Sequence, residues 1–158
     1  MAYVVSYGVV AAYWIQHSSI FHYVKFGNRT LAWLNILFLL PLTLLPFLTN
    51  LRVSYHGEYI TTLLYAGDNI FGGAAMLALW GYGYRQGLLR TRDPVVNRSM
   101  RRRIQLGLAL NLVGAAVAPI HTLFSSLCFL MLPVIYFSHR VVDSHWNTAG
   151  DGQNAAQD

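Results

Sequence analysis

The chain is 158 residues long, 55% hydrophobic, 14% aromatic and only 11% charged, with a mean hydropathy of +0.41. A soluble domain carries about 25% charged residues, so most soluble folds are excluded. The single cysteine, Cys128, rules out an intramolecular disulfide and any cysteine-based zinc site within one chain. The formal net charge of +5 points to membrane topology rather than nucleic acid, because the bases sit in loops between apolar runs.

A first span is expected over 2–24, which holds no charged residue. Trp14, His17 and Phe21 recur on one helical face, and Gln16, His17, Ser18 and Ser19 form its most polar part. The loop 25–30 carries Lys25 and Arg29. A second span follows over 31–51, where Pro41 and Pro46 release backbone carbonyls and permit kinks. His17 and Asn35 stand at similar distances from the intervening loop, so at about 1.5 Å of rise per residue they fall within one polar layer. Such side chains turn toward a bundle interior. The layer reads either as hydrogen bonding between helices or as a proton relay or gating network.

The third span, 59–84, contains Asp68, the only acid expected inside the membrane. An intramembrane carboxylate serves an ion or proton path, or it is a protonated group bonded between helices. Gly67, Gly72, Gly73, Ala74 and Ala75 around it form a small-residue surface for close packing, within the subunit or between subunits. Gly81-Tyr82-Gly83 has the look of a potassium filter, but it ends a full span beside Arg85 and fits an interfacial aromatic belt better.

The segment 85–103 reads as a cytoplasmic basic loop, with Arg101, Arg102 and Arg103 anchoring to lipid headgroups. Asn28-Arg29-Thr30 and Asn97-Arg98-Ser99 match the glycosylation pattern but fall on this same side and are discarded. The uncharged stretch that follows is too long for one crossing and holds Pro119 near its middle, so it divides into spans 104–118 and 122–137. The residues 143–158 are polar and expected to be disordered.

The expected fold is therefore all-α, a polytopic transmembrane bundle of five spans over 1–142. With five crossings, ten of the eleven bases fall on one side and Arg52 alone on the other, which makes the basic side and the C-terminus cytoplasmic. The same count puts Met1 outside at the start of a span, and one more helix before it is expected. No Gly-rich phosphate loop, serine triad, HExxH or paired carboxylates occur, so neither an enzyme nor a cofactor or metal site is expected.

Trp14-Ile15-Gln16-His17 with Phe21, then Leu34-Asn35 with Leu39, then Leu45-Pro46-Phe47 with Thr49, resembles the second and third helices of the transmembrane protein 175 family. This family comprises the endosomal and lysosomal potassium channels and their prokaryotic relatives. The resemblance covers about 140 residues and is specific mainly in the first 50. It implies a single-repeat, prokaryotic type that forms a homotetramer in the plasma membrane, among lipids, and passes potassium ions. The family has six helices per repeat, and its first helix lines the pore and begins Arg-x3-Phe-Ser-Asp. That signature is absent here. Trp14, His17 and Asn35 match the positions that bond to it, so they are expected to form a gating or helix-packing network. The resemblance implies that these 158 residues alone do not conduct. The competing expectations are a proton-coupled transporter that uses Asp68, and a non-conducting structural or accessory membrane protein.

Overall fold

A computed structural model describes residues 2–55, 58–90, 92–120 and 124. Among these, four helices follow one another in sequence: α1 (Ala2–His22), α2 (Arg29–Ser54), α3 (Tyr59–Arg85) and α4 (Pro94–Val117). Helix α3 is the centre of the bundle, packed against α2 on one side and α4 on the other, while α1 lies mainly on α2.

Local chemistry sets the helix ends. Asn28 caps α2, its Oδ1 accepting from the Leu31 backbone N–H at 2.8 Å. Its amide also donates to the Tyr82 hydroxyl at 2.9 Å, joining the start of α2 to the end of α3. Replacing Asn28 by Ala removes both bonds. It should lower the stability of the purified protein in detergent by about 1 kcal/mol, read as a downward shift of the thermal midpoint. An unchanged midpoint would rule out this cap as a determinant of the loop.

Helix α3 ends in a Schellman arrangement: Leu88 N–H donates to Gly83 O at 3.0 Å and Gly87 N–H to Tyr84 O at 3.3 Å. This closure requires a left-handed residue, and Gly87 supplies it with φ of 67°. The chain leaving α3 then pairs with the chain leaving α1. Arg90 N–H donates to Tyr23 O at 2.7 Å and Lys25 N–H to Leu88 O at 2.8 Å, with Val24 and Leu89 forming an antiparallel bridge. The connections bearing Lys25, Arg85 and Arg90 thus lie at one end of the bundle, while Arg52 closes α2 at the other.

The segment 85–103, expected to be a loop, is helical from Pro94 onward. Asp93 accepts from the Val95 N–H at 2.8 Å, and Pro94 occupies the first helical turn, where its missing N–H costs nothing. The arginine cluster is therefore the first half of a helix whose second half is apolar. Charge had marked the loop, but capping decides where a helix begins. Helix α4 ends at Val117, ahead of Pro119, followed by a turn over 118–120. The span expected over 122–137 and the tail 143–158 lie outside the described residues.

By length and composition alone, one helix among the described residues, α2, is fit to cross a membrane. In α1 and α3 the polar residues dilute the apolar run, and in α4 the arginines interrupt it. Only 22% of the apolar stretch of α2 is buried in the bundle. A core helix of a soluble protein would be covered, so this flank, with Trp33, Ile36, Leu37, Leu40 and Phe47 exposed, suits lipid or other helices.

Gly72, Gly73 and Ala75 of α3 pack within the chain, whereas Ala74 is exposed. A side chain at Gly72 would meet Pro41 of α2, and one at Gly73 would press on Leu108 of α4 at 3.2 Å. Gly67 faces open space. Near the basic end, Trp80 is 1% exposed. Its indole N–H donates to Asn97 Oδ1 at 3.0 Å, and Tyr23 meets its ring edge-on at 5.9 Å. Gly81-Tyr82-Gly83 is helical within α3, the conformation of a span end and not of an extended filter loop.

Candidate functional site: a polar layer between helices

The polar residues of α1 occupy two faces with different partners. His17 Nε2 lies 2.7 Å from Asn35 Oδ1 of α2. With that amide orientation the ring carries its proton on Nε2. Aromatic rings pack around the imidazole. Phe38 stacks on the imidazole at 5.3 Å with an interplanar angle of 6°, Phe21 sits at 4.4 Å, and Trp14 stacks at 5.8 Å. The imidazole is thus held in one orientation by ring contacts and one hydrogen bond. Trp14 remains 60% exposed, so the stack opens outward from the α1–α2 face.

On the inward face, Tyr13 O–H donates to Asn69 Oδ1 of α3 at 3.1 Å, and Asn69 donates to Tyr65 O at 2.8 Å. Gln16, between these two faces in sequence, is 1% exposed, and both its amide atoms lack a hydrogen-bond partner among the described residues. Together these groups form a polar layer across α1, α2 and α3. Parting α1 from α3 would leave the buried Asn69 Oδ1 without the Tyr13 hydroxyl, at a cost in free energy.

Asp68 is neighbour to Asn69 in sequence but not in role. It is half-buried, and its Oδ2 is buried without a hydrogen-bond partner among the described residues. The structure does not bring it into the His17–Asn35 pair. Arg52, at the opposite end of α2, lies over the Tyr65 ring at 5.3 Å.

The three arginines expected to be headgroup anchors separate. Arg101 and Arg102 are exposed, whereas Arg103 is 8% exposed and turned into the bundle. Arg98, Arg102 and Arg103 line a cavity of about 740 Å³ between the end of α1 and the first half of α4. Among the described residues no cluster of His, Cys, Asp or Glu could hold a metal ion.

The sequence singled out Trp14, His17, Phe21 and Asn35, and the structure brings these four side chains together; the sequence did not single out Phe38, Tyr13 or the bonding of Asn69. Phe38 follows Asn35 by one turn and Tyr13 precedes His17 by one turn, so helical spacing was a signal for both. Nothing in the sequence marked Asn69 rather than Asp68 as the residue that bonds to α1.

Comparison with known proteins gives a consistent set of matches. The family model described as the endosomal/lysosomal potassium channel TMEM175 matches residues 1–46, the segment that contains Trp14, His17, Asn35 and Phe38. A potassium channel of Streptomyces collinus is 29% identical over 145 residues, covering 89% of this chain and 66% of that protein. The endosomal/lysosomal proton channels TMEM175 of Rattus norvegicus and Mus musculus are each 26% identical over 151 residues, covering 91% of this chain and 30% of theirs. The chain thus spans just under two thirds of the Streptomyces channel and less than a third of the rodent ones.

Proposed function

From its similarity to the TMEM175 channels we propose that the chain belongs to that family and is a subunit of a potassium-permeable cation leak channel. The observation that carries this reading is the His17–Asn35 pair in its aromatic stack, which lies within the segment matched by the family model. In this reading the pair does not touch the ion. It holds in register a pore-lining helix that carries the Arg-x3-Phe-Ser-Asp signature, and ions pass a narrow apolar constriction whose wetting and radius set the flux.

The subunits assemble as a homotetramer around that constriction in the plasma membrane, with the arginine-rich end in the cytoplasm. The clustering of Lys25, Arg85, Arg90 and the arginines of α4 at one end supports this orientation. Single-repeat architecture accords with a chain that spans 66% of the bacterial relative but 30% of the rodent ones. The polar layer pairs with a signature that these 158 residues do not contain. Alone, they are expected to give liposomes no potassium flux above the lipid background, whereas protein purified from the native membrane conducts. Absence of flux from the native protein would overturn the channel reading.

A second reading, proton transport through Asp68, is favoured by the buried Oδ2 that has no partner among the described residues and by the description of the rodent relatives as proton channels. The two readings separate on Asp68→Asn. Under the potassium reading the current survives, because Asp68 lies apart from the His17–Asn35 pair. Under the proton reading, acid-driven flux into liposomes is abolished, since an amide cannot carry the proton.

A further inference from the structure

The cavity at the basic end has an unusual lining. Helical spacing puts Arg98, Arg102 and Leu106 along one face of α4, and Arg103 and Met100 face inward beside Tyr23 from the end of α1. Three arginines therefore line a space of about 740 Å³, and among the described residues no acid lines it. The nearest acid in sequence, Asp93, caps the start of α4 and does not line the cavity.

Snorkelling alone does not account for this arrangement. A snorkelling arginine extends its head into water or headgroups, whereas Arg103 is 8% exposed, engaged inside the bundle, and borders the cavity. The lining is also divided. Arg98, Arg102 and Arg103 supply the charged part, while Leu106, 51% exposed, continues along α4 toward its apolar half. A small inorganic anion would use only the first part. A phosphodiester attached to acyl chains uses both: its charge pairs with guanidinium forks, and its chains follow the apolar flank of α4.

We propose that this cavity binds the headgroup of one anionic phospholipid from the leaflet at the basic end of the bundle. The three arginines hold the phosphodiester, and the acyl chain lies along Leu106. The lipid bridges the end of α1 and the first half of α4, which otherwise meet at that end through Trp80 and the strap between the α1–α2 and α3–α4 connections. Basic pockets between helices on the cytoplasmic side are a recurrent form of lipid headgroup recognition. The inference rests on the membrane setting but not on conduction, so loss of one does not remove the other.

Native mass spectrometry of the whole chain, delipidated in detergent and titrated with phosphatidylglycerol or phosphatidylcholine, tests it. One phosphatidylglycerol should be retained per chain, at least tenfold more tightly than phosphatidylcholine. Each of Arg98→Gln and Arg102→Gln should weaken that retention about fivefold, and together about twenty-fivefold. Both side chains are exposed, so these variants fold, whereas Arg103→Gln is informative only if its thermal midpoint is kept. Arg85→Gln, exposed at the same end but outside the cavity, should leave retention unchanged. Equal retention of the two lipids, or an equal loss in Arg85→Gln, would overturn the proposal. So would displacement of the lipid by millimolar inorganic phosphate, which would make this a free-anion site. Binding that emerges only after Asp143, Asp151 and Asp158 are replaced by Asn would show that the chain's own tail occupies the cavity.

Discussion

Replacing Trp80 by Ala should destabilise the protein by about 3–5 kcal/mol, the range for deleting a buried Trp or Phe. Trp80 is 1% exposed, meets Tyr23 from the end of α1, and donates its indole N–H to Asn97 of α4. One side chain therefore links three helices. In a membrane the driving force for helix association is packing and hydrogen bonding rather than transfer from water, so the cavity left behind accounts for most of the loss. Trp80→Phe keeps most of the ring but removes the N–H. It should cost less than the alanine variant, with Asn97 left short of a donor. Thermal unfolding in detergent, followed by tryptophan-independent far-UV ellipticity, reads both. Equal midpoints for wild type and Trp80→Ala would show that the three-helix junction contributes nothing.

The second large effect is expected at Asn35. Asn35→Ala removes the acceptor at 2.7 Å from His17 Nε2 and leaves the imidazole N–H enclosed by Phe38, Phe21 and Trp14. Interhelical hydrogen bonds in membranes average about 0.6 kcal/mol and reach about 1.7. This bond is short but part-buried, so a loss of about 0.6–1.7 kcal/mol is expected. Beyond stability, the channel reading predicts altered gating or a weaker tetramer in the native protein, because His17 is free to rotate out of register. Unchanged assembly together with unchanged current would remove Asn35 from the network. Combining it with His17→Ala provides the control, since the double variant should cost little more than either single change if the two residues act as a pair.

The polar layer illustrates what could be read in advance. His17 and Asn35 are separated by a short loop, and equal depth on two antiparallel helices follows from rise per residue alone. Their meeting was therefore legible. The partner of Tyr13 was not. Asn69 and Asp68 are adjacent on α3, about 100° apart around the helix, and only the rotation of α3 against α1 selects which one turns inward. The same limit applies to the arginines: three consecutive bases look alike in sequence, yet Arg103 is buried while Arg101 and Arg102 are exposed.

Helix boundaries followed a similar division. The starts of α2 and α3 were legible to within two residues because a polar connection gives way there to an apolar run. The start of α4 was misplaced because Asp93-Pro94 initiates a helix inside a strongly basic segment, where composition suggests a loop.

What the sequence by itself determined is the helical class, the gathering of bases at one end and the pairing depth of His17 with Asn35. Each depends on composition or on spacing along a single helix. What only the tertiary structure decided is which face of each helix meets a neighbour. The choice of Asn69 over Asp68 as the partner of Tyr13, the enclosure of His17 by Phe38, the junction at Trp80 and the inward turn of Arg103 all belong to that class. The physical reason is that a helix places its side chains around a full circle, and the face that becomes interior is selected by packing against elements remote in sequence.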